Sequence, residues 1–134
     1  MAATDHHPTT FVRALVARLV ADERVQALWL EGEQDAIQWP PYATLDLHFA
    51  VPEPHLEALR GELAGLFEAL DGVTDFSQQQ APLKGYAGSA VLSDGTPLSY
   101  RVERTSQVGK LPRRAVNVLI DRTGGMLMPG FSFE

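Results

Sequence analysis

The segment YATLDLHFAV, residues 42–51, constrains the fold most, because it alternates strictly between two kinds of side chain. Successive side chains of a β-strand point to opposite faces of a sheet. The apolar set is Ala43, Leu45, Leu47, Phe49 and Val51, and the other set is Tyr42, Thr44, Asp46, His48 and Ala50. The segment therefore predicts a strand with one face on the core and the other turned toward a polar environment.

Two amphipathic helices are predicted, one on each side of this strand. Thr9 or Thr10 can cap the first, and Pro52 and Pro54 open the second, which ends at Gly72. Apolar residues recur at helical spacing in both. The stripes are Phe11, Val12, Leu15, Val16, Leu19 and Val20 in the first helix, with Arg13 and Arg18 pointing outward, and Leu56, Leu59, Leu63, Leu66, Phe67 and Leu70 in the second.

The remaining chain is predicted to form strands over residues 25–30, 73–80, 88–93, 97–103 and 116–121. The turn at 93–96 (SDGT) joins two of them into a hairpin. The glycines of 85–88 (GYAG) are interpreted as a bend at the start of a strand. With a helix crossing over after the strand at 42–51, this order predicts a single mixed α/β (α+β) domain of two layers over residues 1–134, with residues 1–8 as a flexible tail.

Composition limits the classes of function. The chain has 134 residues and no cysteine, which excludes disulfides, thiolate zinc sites and cysteine nucleophiles. Its apolar runs are too short to span a bilayer, and it has no secretory signal pattern, so we expect no membrane partner and a cytoplasmic location. A net charge of −6 argues against binding nucleic acid.

The charge is distributed unevenly along the chain. Residues 1–78 carry 4 Lys/Arg against 13 Asp/Glu, whereas residues 79–134 carry 7 against 4. The simpler interpretation is an acidic solvated helix surface. The alternative is that basic residues gather near an anionic ligand; the candidates are Lys84, Arg101, Arg104, Lys110, Arg113 and Arg114.

Three segments carry a pattern of nucleotide-transferring enzymes. A strand ends in Gly32-Glu33, and after ten residues Thr44-Leu45-Asp46 begins the next strand. Residues 92–100 (LSDGTPLSY) form a turn leading into a strand, and residues 117–124 (NVLIDRTG) form an apolar run ending in aspartate and glycine. In this order the chain resembles the nucleotidyltransferase superfamily, in its small aminoglycoside- and streptomycin-nucleotidyltransferase-like branch.

The resemblance implies a mixed β-sheet with two main helices on one side and, in an active member, Mg²⁺ held by aspartates. Two Mg²⁺ ions clamp the attacking and leaving oxygens there, and carboxylates hold them. This chain departs from that pattern. Glu33 stands at the serine position, Thr44 at the first aspartate, and Ser99 at the third, so Asp46 is the remaining catalytic-type carboxylate.

Three hypotheses follow for function. The first is a degenerate member that binds a nucleotide or small molecule, or regulates, through Gly32, Glu33, Thr44, His48, Ser99 and Arg101. The second is an active transferase whose carboxylates are relocated; the candidates beside Asp46 are Glu31, Glu33, Asp35 and Glu103. The third is a toxin–antitoxin type protein with a helical partner.

Individual residues carry further alternatives. Asp46 and His48, at i and i+2 on one strand face, could ligate a transition metal. The simpler interpretation is that Asp46 hydrogen-bonds a loop amide or pairs with an arginine, and that His48 lines a cleft or packs on Tyr42. Residues 39–42 (WPPY) could cover the cleft, pack on the core or form a partner-binding surface. Apolar residues near the C-terminus favour docking on the core or on a homodimer mate; they are Met126, Leu127, Met128, Phe131 and Phe133.

Overall fold

The structure is a computed structural model that describes residues 8–31, 44–81, 85–108 and 116–122. Within these residues there are two α-helices, a short 3-10 helix at Thr105–Gln107, and six strands. The helices are α1 (Pro8–Leu19) and α2 (Glu53–Asp71). The strands are β1 (Ala27–Glu31), β2 (Leu45–Val51), β3 (Thr74–Gln80), β4 (Tyr86–Val91), β5 (Pro97–Arg104) and β6 (Val116–Asp121). Neither described helix combines the length and the apolar composition that crossing a bilayer requires.

The strands of the described residues form one mixed sheet in the order β3-β4-β5-β2-β1-β6. The pairing of β2 with β5 is parallel, and the other neighbouring pairs are antiparallel. A parallel pair needs a long crossover, which α2 and the β3–β4 meander supply between β2 and β5. The predicted mixed α/β (α+β) class is confirmed.

Both helices pack against one face of the sheet, as predicted. Alternate residues of β2 point into this core, and Leu45, Leu47 and Phe49 have no exposed surface. The rings of Phe11 of α1 and Phe67 of α2 pack in a T-shaped arrangement at a centroid distance of 5.8 Å, so the two helices also contact each other. Burying each such side chain contributes about 1.5–3 kcal/mol. The strict alternation in β2 therefore orients Asp46 and His48 toward the opposite face.

The first helix differs from the prediction at both ends. It begins at Pro8, which the sequence assigned to the tail, so Thr9 and Thr10 lie inside the helix and neither caps it. Proline is well tolerated in the first turn because its missing N–H would have no partner there. At the other end the helix stops at Leu19, and Val20, predicted to be part of the apolar stripe, is 56% exposed.

The chain turns immediately after α1, which explains the exposure of Val20. The N–H of Asp22 donates to the carbonyl of Leu19 at 2.9 Å, and the guanidinium of Arg122 donates to the carbonyl oxygens of Val20, Asp22 and Val25. These bonds hold the turn against the end of β6.

The predicted limits of α2 are confirmed. Pro52 stands at its N-cap and Pro54 lies in its first turn. Gly72 adopts the left-handed conformation (φ +62°) and donates its N–H to the carbonyl of Glu68 at 2.8 Å. A residue with a Cβ is strained there, so glycine is the residue that ends a helix in this way.

The predicted hairpin joins β4 and β5. Gly95 has φ +92°, and the carboxylate of Asp94 accepts the N–H of Thr96 at 2.9 Å. Asparagine, aspartate and glycine are typical of such turns because they tolerate or stabilise left-handed backbone. The turn predicted at 93–96 is therefore confirmed, although the strand before it lies two residues earlier than predicted, at Tyr86–Val91.

Gly88 does not form the bend predicted for residues 85–88, since it lies inside β4 directly opposite Tyr100. A Cβ at Gly88 would lie 1.9 Å from the carbonyl oxygen of Ser77 and 2.6 Å from the hydroxyl of Tyr100. That hydroxyl crosses the glycine to donate to the Ser77 carbonyl at 3.0 Å. Glycine is required here by a close approach of neighbouring atoms, not by a turn.

Candidate functional site

The face of the sheet opposite the helices carries most of the predicted site residues, and we call it the open face. Strand register brings them side by side: in the β2–β5 pair, Asp46 lies opposite Ser99 and His48 opposite Arg101. In the β1–β2 pair, His48 lies opposite Trp29. The described helices both pack on the other face, so this polar group lies outside the main core.

Asp46 is held by two neighbours. The hydroxyl of Ser99 donates to Asp46 Oδ1 at 3.2 Å, and His48 Nε2 lies 3.2 Å from the same oxygen. Burial raises the pKa of Asp46, but the hydrogen bond and charge of His48, the Ser99 hydroxyl and the charge of Arg101 together outweigh it. The pKa of Asp46 therefore lies below its ordinary value, and the side chain is a carboxylate at neutral pH.

Glu31 reaches the same imidazole from β1. Its Oε1 lies 3.7 Å from His48 Nε2, while its Oε2 accepts the indole N–H of Trp29 at 3.1 Å. The Trp29 ring also stacks on His48, with ring centroids 5.5 Å apart and an interplanar angle of 19°. Trp29 therefore fixes both the carboxylate of Glu31 and the ring plane of His48.

Three possible ligand atoms converge on this face. One atom each from Glu31, Asp46 and His48 lie within 4.8 Å of one another. The side chain of His48 is 12% exposed, whereas those of Glu31 and Asp46 are 39% and 42% exposed. The group is thus anchored in the sheet and open to solvent on its carboxylate side.

The basic residues predicted to gather near an anion divide between the two faces. Arg101 lies on the open face, with its side chain 45% exposed and one guanidinium nitrogen 3.7 Å from a carboxylate oxygen of Glu103. Arg104 instead pairs with Glu53 at the start of α2, at 3.0 Å. The other four lie outside the described residues; they are Lys84, Lys110, Arg113 and Arg114.

Several predicted positions cannot be placed. Gly32, Glu33 and the segment 39–42 lie outside the described residues, as do the apolar C-terminal residues 126–133. Thr44 is described: it is exposed and immediately precedes β2.

The residues present do not fit the metal pair that the resemblance implies. Of the three described positions that would hold aspartates, Thr44 and Ser99 are neutral, and the Ser99 hydroxyl donates to Asp46. Two Mg²⁺ ions need several anionic oxygen ligands, which one carboxylate at these positions cannot supply.

A scan against protein-family models found no match, and a search of curated proteins found none. Any function of the open face must therefore be inferred from its own side chains. Among these, Trp29 was not predicted from the sequence as a site residue, and Glu31 was predicted only as a relocated carboxylate of the active-transferase hypothesis. The i, i+2 spacing of Trp29 and Glu31 indicates that they share one face of a strand, but it does not show that this face meets His48.

Proposed function

We propose that this protein has a nucleotidyltransferase-type fold without paired-metal catalysis, and that its open face binds a nucleotide or another small anionic ligand. The observation that carries the proposal is the hydrogen bond from Ser99 to Asp46 at 3.2 Å. Ser99 lies on the neighbouring parallel strand in register with Asp46, and the resemblance implies a carboxylate at its position in an active member.

Arg101 supports an anionic ligand. It lies opposite His48 in the parallel pair, and its side chain remains 45% exposed despite its contact with Glu103. A guanidinium is a fork of N–H donors that matches two oxygens of a phosphate, so a phosphate on this face could bind it in bidentate fashion.

Carboxylates on the open face set a condition on this binding. Glu31 and Asp46 are both partly exposed on the same face and would repel a phosphate. A phosphate and a carboxylate close together on one face repel each other and destabilise a complex unless a cation lies between them. Anion binding should therefore depend on a divalent cation, which is the dependence a binding experiment can detect.

The test is a thermal-shift titration with ATP, GTP, CTP and UTP, each with and without Mg²⁺, Mn²⁺ or Zn²⁺. A ligand that binds only the folded chain raises its stability by about 2.7 kcal/mol at a hundred times its Kd. We expect a cation-dependent shift with at least one nucleotide, reduced in Arg101→Gln and unchanged in Arg13→Gln, which alters an exposed arginine of α1. Flat traces with every nucleotide and cation would refute the proposal.

The position of Glu31 also favours a second candidate, the active transferase with relocated carboxylates. Glu31 Oε1 lies 3.7 Å from His48 Nε2, next to Asp46. Glu103 lies opposite Ala50, farther along β5 from Ser99, which is the residue opposite Asp46. This candidate predicts release of pyrophosphate from a nucleotide in the presence of an aminoglycoside-like or protein acceptor, abolished by Asp46→Asn. Nucleotide binding without any pyrophosphate release would exclude it and leave the binding function.

A further inference from the structure

We infer that Glu31, Asp46 and His48 form a site for one divalent transition-metal ion, with Zn²⁺ the leading candidate. This inference rests on the proposed function, because the ion would lie on the open face, where the anionic ligand is proposed to bind. It differs from a paired Mg²⁺ site in nuclearity, in ligand set and in the strand that supplies Glu31. It can also be tested with no nucleotide present.

The distances between donor atoms match the edges of a small coordination shell. His48 Nε2 lies 3.2 Å from Asp46 Oδ1 and 3.7 Å from Glu31 Oε1. Nitrogen and oxygen ligands lie about 2.0–2.2 Å from zinc, so two corners of a tetrahedron around it are about 3.4 Å apart. The three atoms are within 4.8 Å of one another, and small rotations of the two partly exposed carboxylates would complete the shell.

The direction of the imidazole is also suitable. A metal ion binds an imidazole nitrogen in the plane of the ring, whereas Trp29 stacks on the ring face at 5.5 Å. The stacking therefore restricts the rotation of His48 without covering Nε2. The same indole donates its N–H to Glu31 Oε2, the oxygen that does not face His48, which leaves Oε1 directed toward the common point.

Charge provides the driving force. The carboxylates of Glu31 and Asp46 both approach the imidazole of His48, and a divalent cation would neutralise both. Ser99 donates to Asp46 and Trp29 to Glu31, so each carboxylate has a neutral donor that orients it. Metal sites are tuned by hydrogen bonds of this kind to their ligands.

The ligand set decides which ion is preferred. One imidazole with two carboxylates favours Zn²⁺ and its transition-metal neighbours, whereas Mg²⁺ prefers oxygen ligands and keeps its waters. With three protein ligands and an exposed carboxylate side, a further position would be open to water or to a phosphate oxygen.

The experiment is calorimetric titration of Zn²⁺, Co²⁺ and Mg²⁺ into the full chain carrying His6→Ala and His7→Ala, which removes the two tail histidines as competing ligands. We expect one Zn²⁺ per chain and at least tenfold weaker Mg²⁺. His48→Gln should weaken Zn²⁺ binding at least tenfold, as should Glu31→Gln. The matched controls His55→Gln and Glu23→Gln change exposed side chains of α2 and of the turn after α1, and should leave it unaltered.

Trp29→Phe should weaken metal binding in a way that a purely structural role of Trp29 would not explain. It removes the N–H donor to Glu31 and keeps an aromatic ring against His48, so Trp29 is tested as a positioning residue. Loss of such an outer hydrogen bond weakens metal affinity by roughly 10–100-fold. The visible spectrum of bound Co²⁺ should change with it, because the coordination geometry depends on the placement of Glu31.

The outcomes separate this inference from the proposed function. Zn²⁺ binding that survives His48→Gln and Glu31→Gln, or no binding in the tail-substituted chain, would overturn the metal site. If His48→Gln unfolds the chain, the effect of Glu31→Gln on Zn²⁺ binding is the deciding test, since the Glu31 side chain is 39% exposed and its replacement should leave the fold intact. A cation-dependent nucleotide shift in a chain that shows no Zn²⁺ binding by calorimetry would preserve the binding function while refuting the metal site. Zn²⁺ binding with no nucleotide shift would do the reverse.

Discussion

Replacing Ser99 with aspartate tests whether this residue and Asp46 share a site. The Ser99 hydroxyl lies 3.2 Å from Asp46 Oδ1 on the neighbouring strand. Ser99→Asp would put a second carboxylate in the same position, where it loses a hydrogen bond and meets a like charge. We expect a less stable apo protein and a new response to Mg²⁺ or Mn²⁺.

The size of the effect follows from distance and exposure. Two unit charges about 4 Å apart repel by about 1 kcal/mol in water and about 4 kcal/mol at an effective dielectric constant of 20. The side chain of Asp46 is 42% exposed, so the lower part of this range applies, about 1–2 kcal/mol. Filling the new site with cation at a hundred times its Kd would add about 2.7 kcal/mol, which more than offsets the repulsion.

The assay is urea unfolding at neutral pH with EDTA or with Mg²⁺ or Mn²⁺. Ser89→Asp is the matched control, since Ser89 lies opposite Ser99 on β4, one strand farther from Asp46. Neighbouring strands are about 4.8 Å apart, so its carboxylate would be roughly twice as far away and screened by salt. Ser99→Asp should be destabilised in EDTA and stabilised by the cation, whereas Ser89→Asp should show neither effect. An equal cation response in the two variants would refute the placement of Ser99 beside Asp46.

Two further predictions concern the fold. Gly88→Ala should lower the free energy of unfolding by about 1–3 kcal/mol, because its Cβ would lie 1.9 Å from the backbone oxygen of Ser77. Gly65→Ala in α2, where a Cβ would meet nothing within 4 Å, should raise it by about 0.5–1 kcal/mol. Equal urea midpoints for the two variants would contradict this. The hydrogen bond from Arg24 holds the pKa of Asp22 below its ordinary value, so the stability it contributes is present above about pH 4 and is lost as the pH falls further. Arg24→Met should therefore flatten the acid limb of a stability–pH curve, and an unchanged slope would show that this pair contributes nothing.

Part of the site could be predicted from the sequence because it depends on local periodicity. The alternation in residues 42–51 places Asp46 and His48 on one face of β2, whatever strands lie beside it. The apolar stripe of α2 similarly identifies the opposite face as the core side. Both conclusions need only the geometry of one element.

The rest depends on how elements pair. Glu31 joins the site because the antiparallel register sets Trp29 against His48, and no residue near Glu31 in the chain encodes that register. The role of Gly88 is set by the Tyr100 hydroxyl on the next strand. Val20 continues the helical spacing of α1, but the chain turns there and binds Arg122, about a hundred residues away. These are tertiary contacts, which override local pattern.

The open face as a binding centre is tested most directly by NMR of the histidine side-chain nitrogens during a Zn²⁺ titration of the full chain. The account predicts that the Nε2 resonance of His48 shifts with a single saturable transition, while the nitrogens of His55, exposed on α2, stay in place. A titration that moves only the resonances of His6 and His7 and leaves His48 unchanged would contradict it.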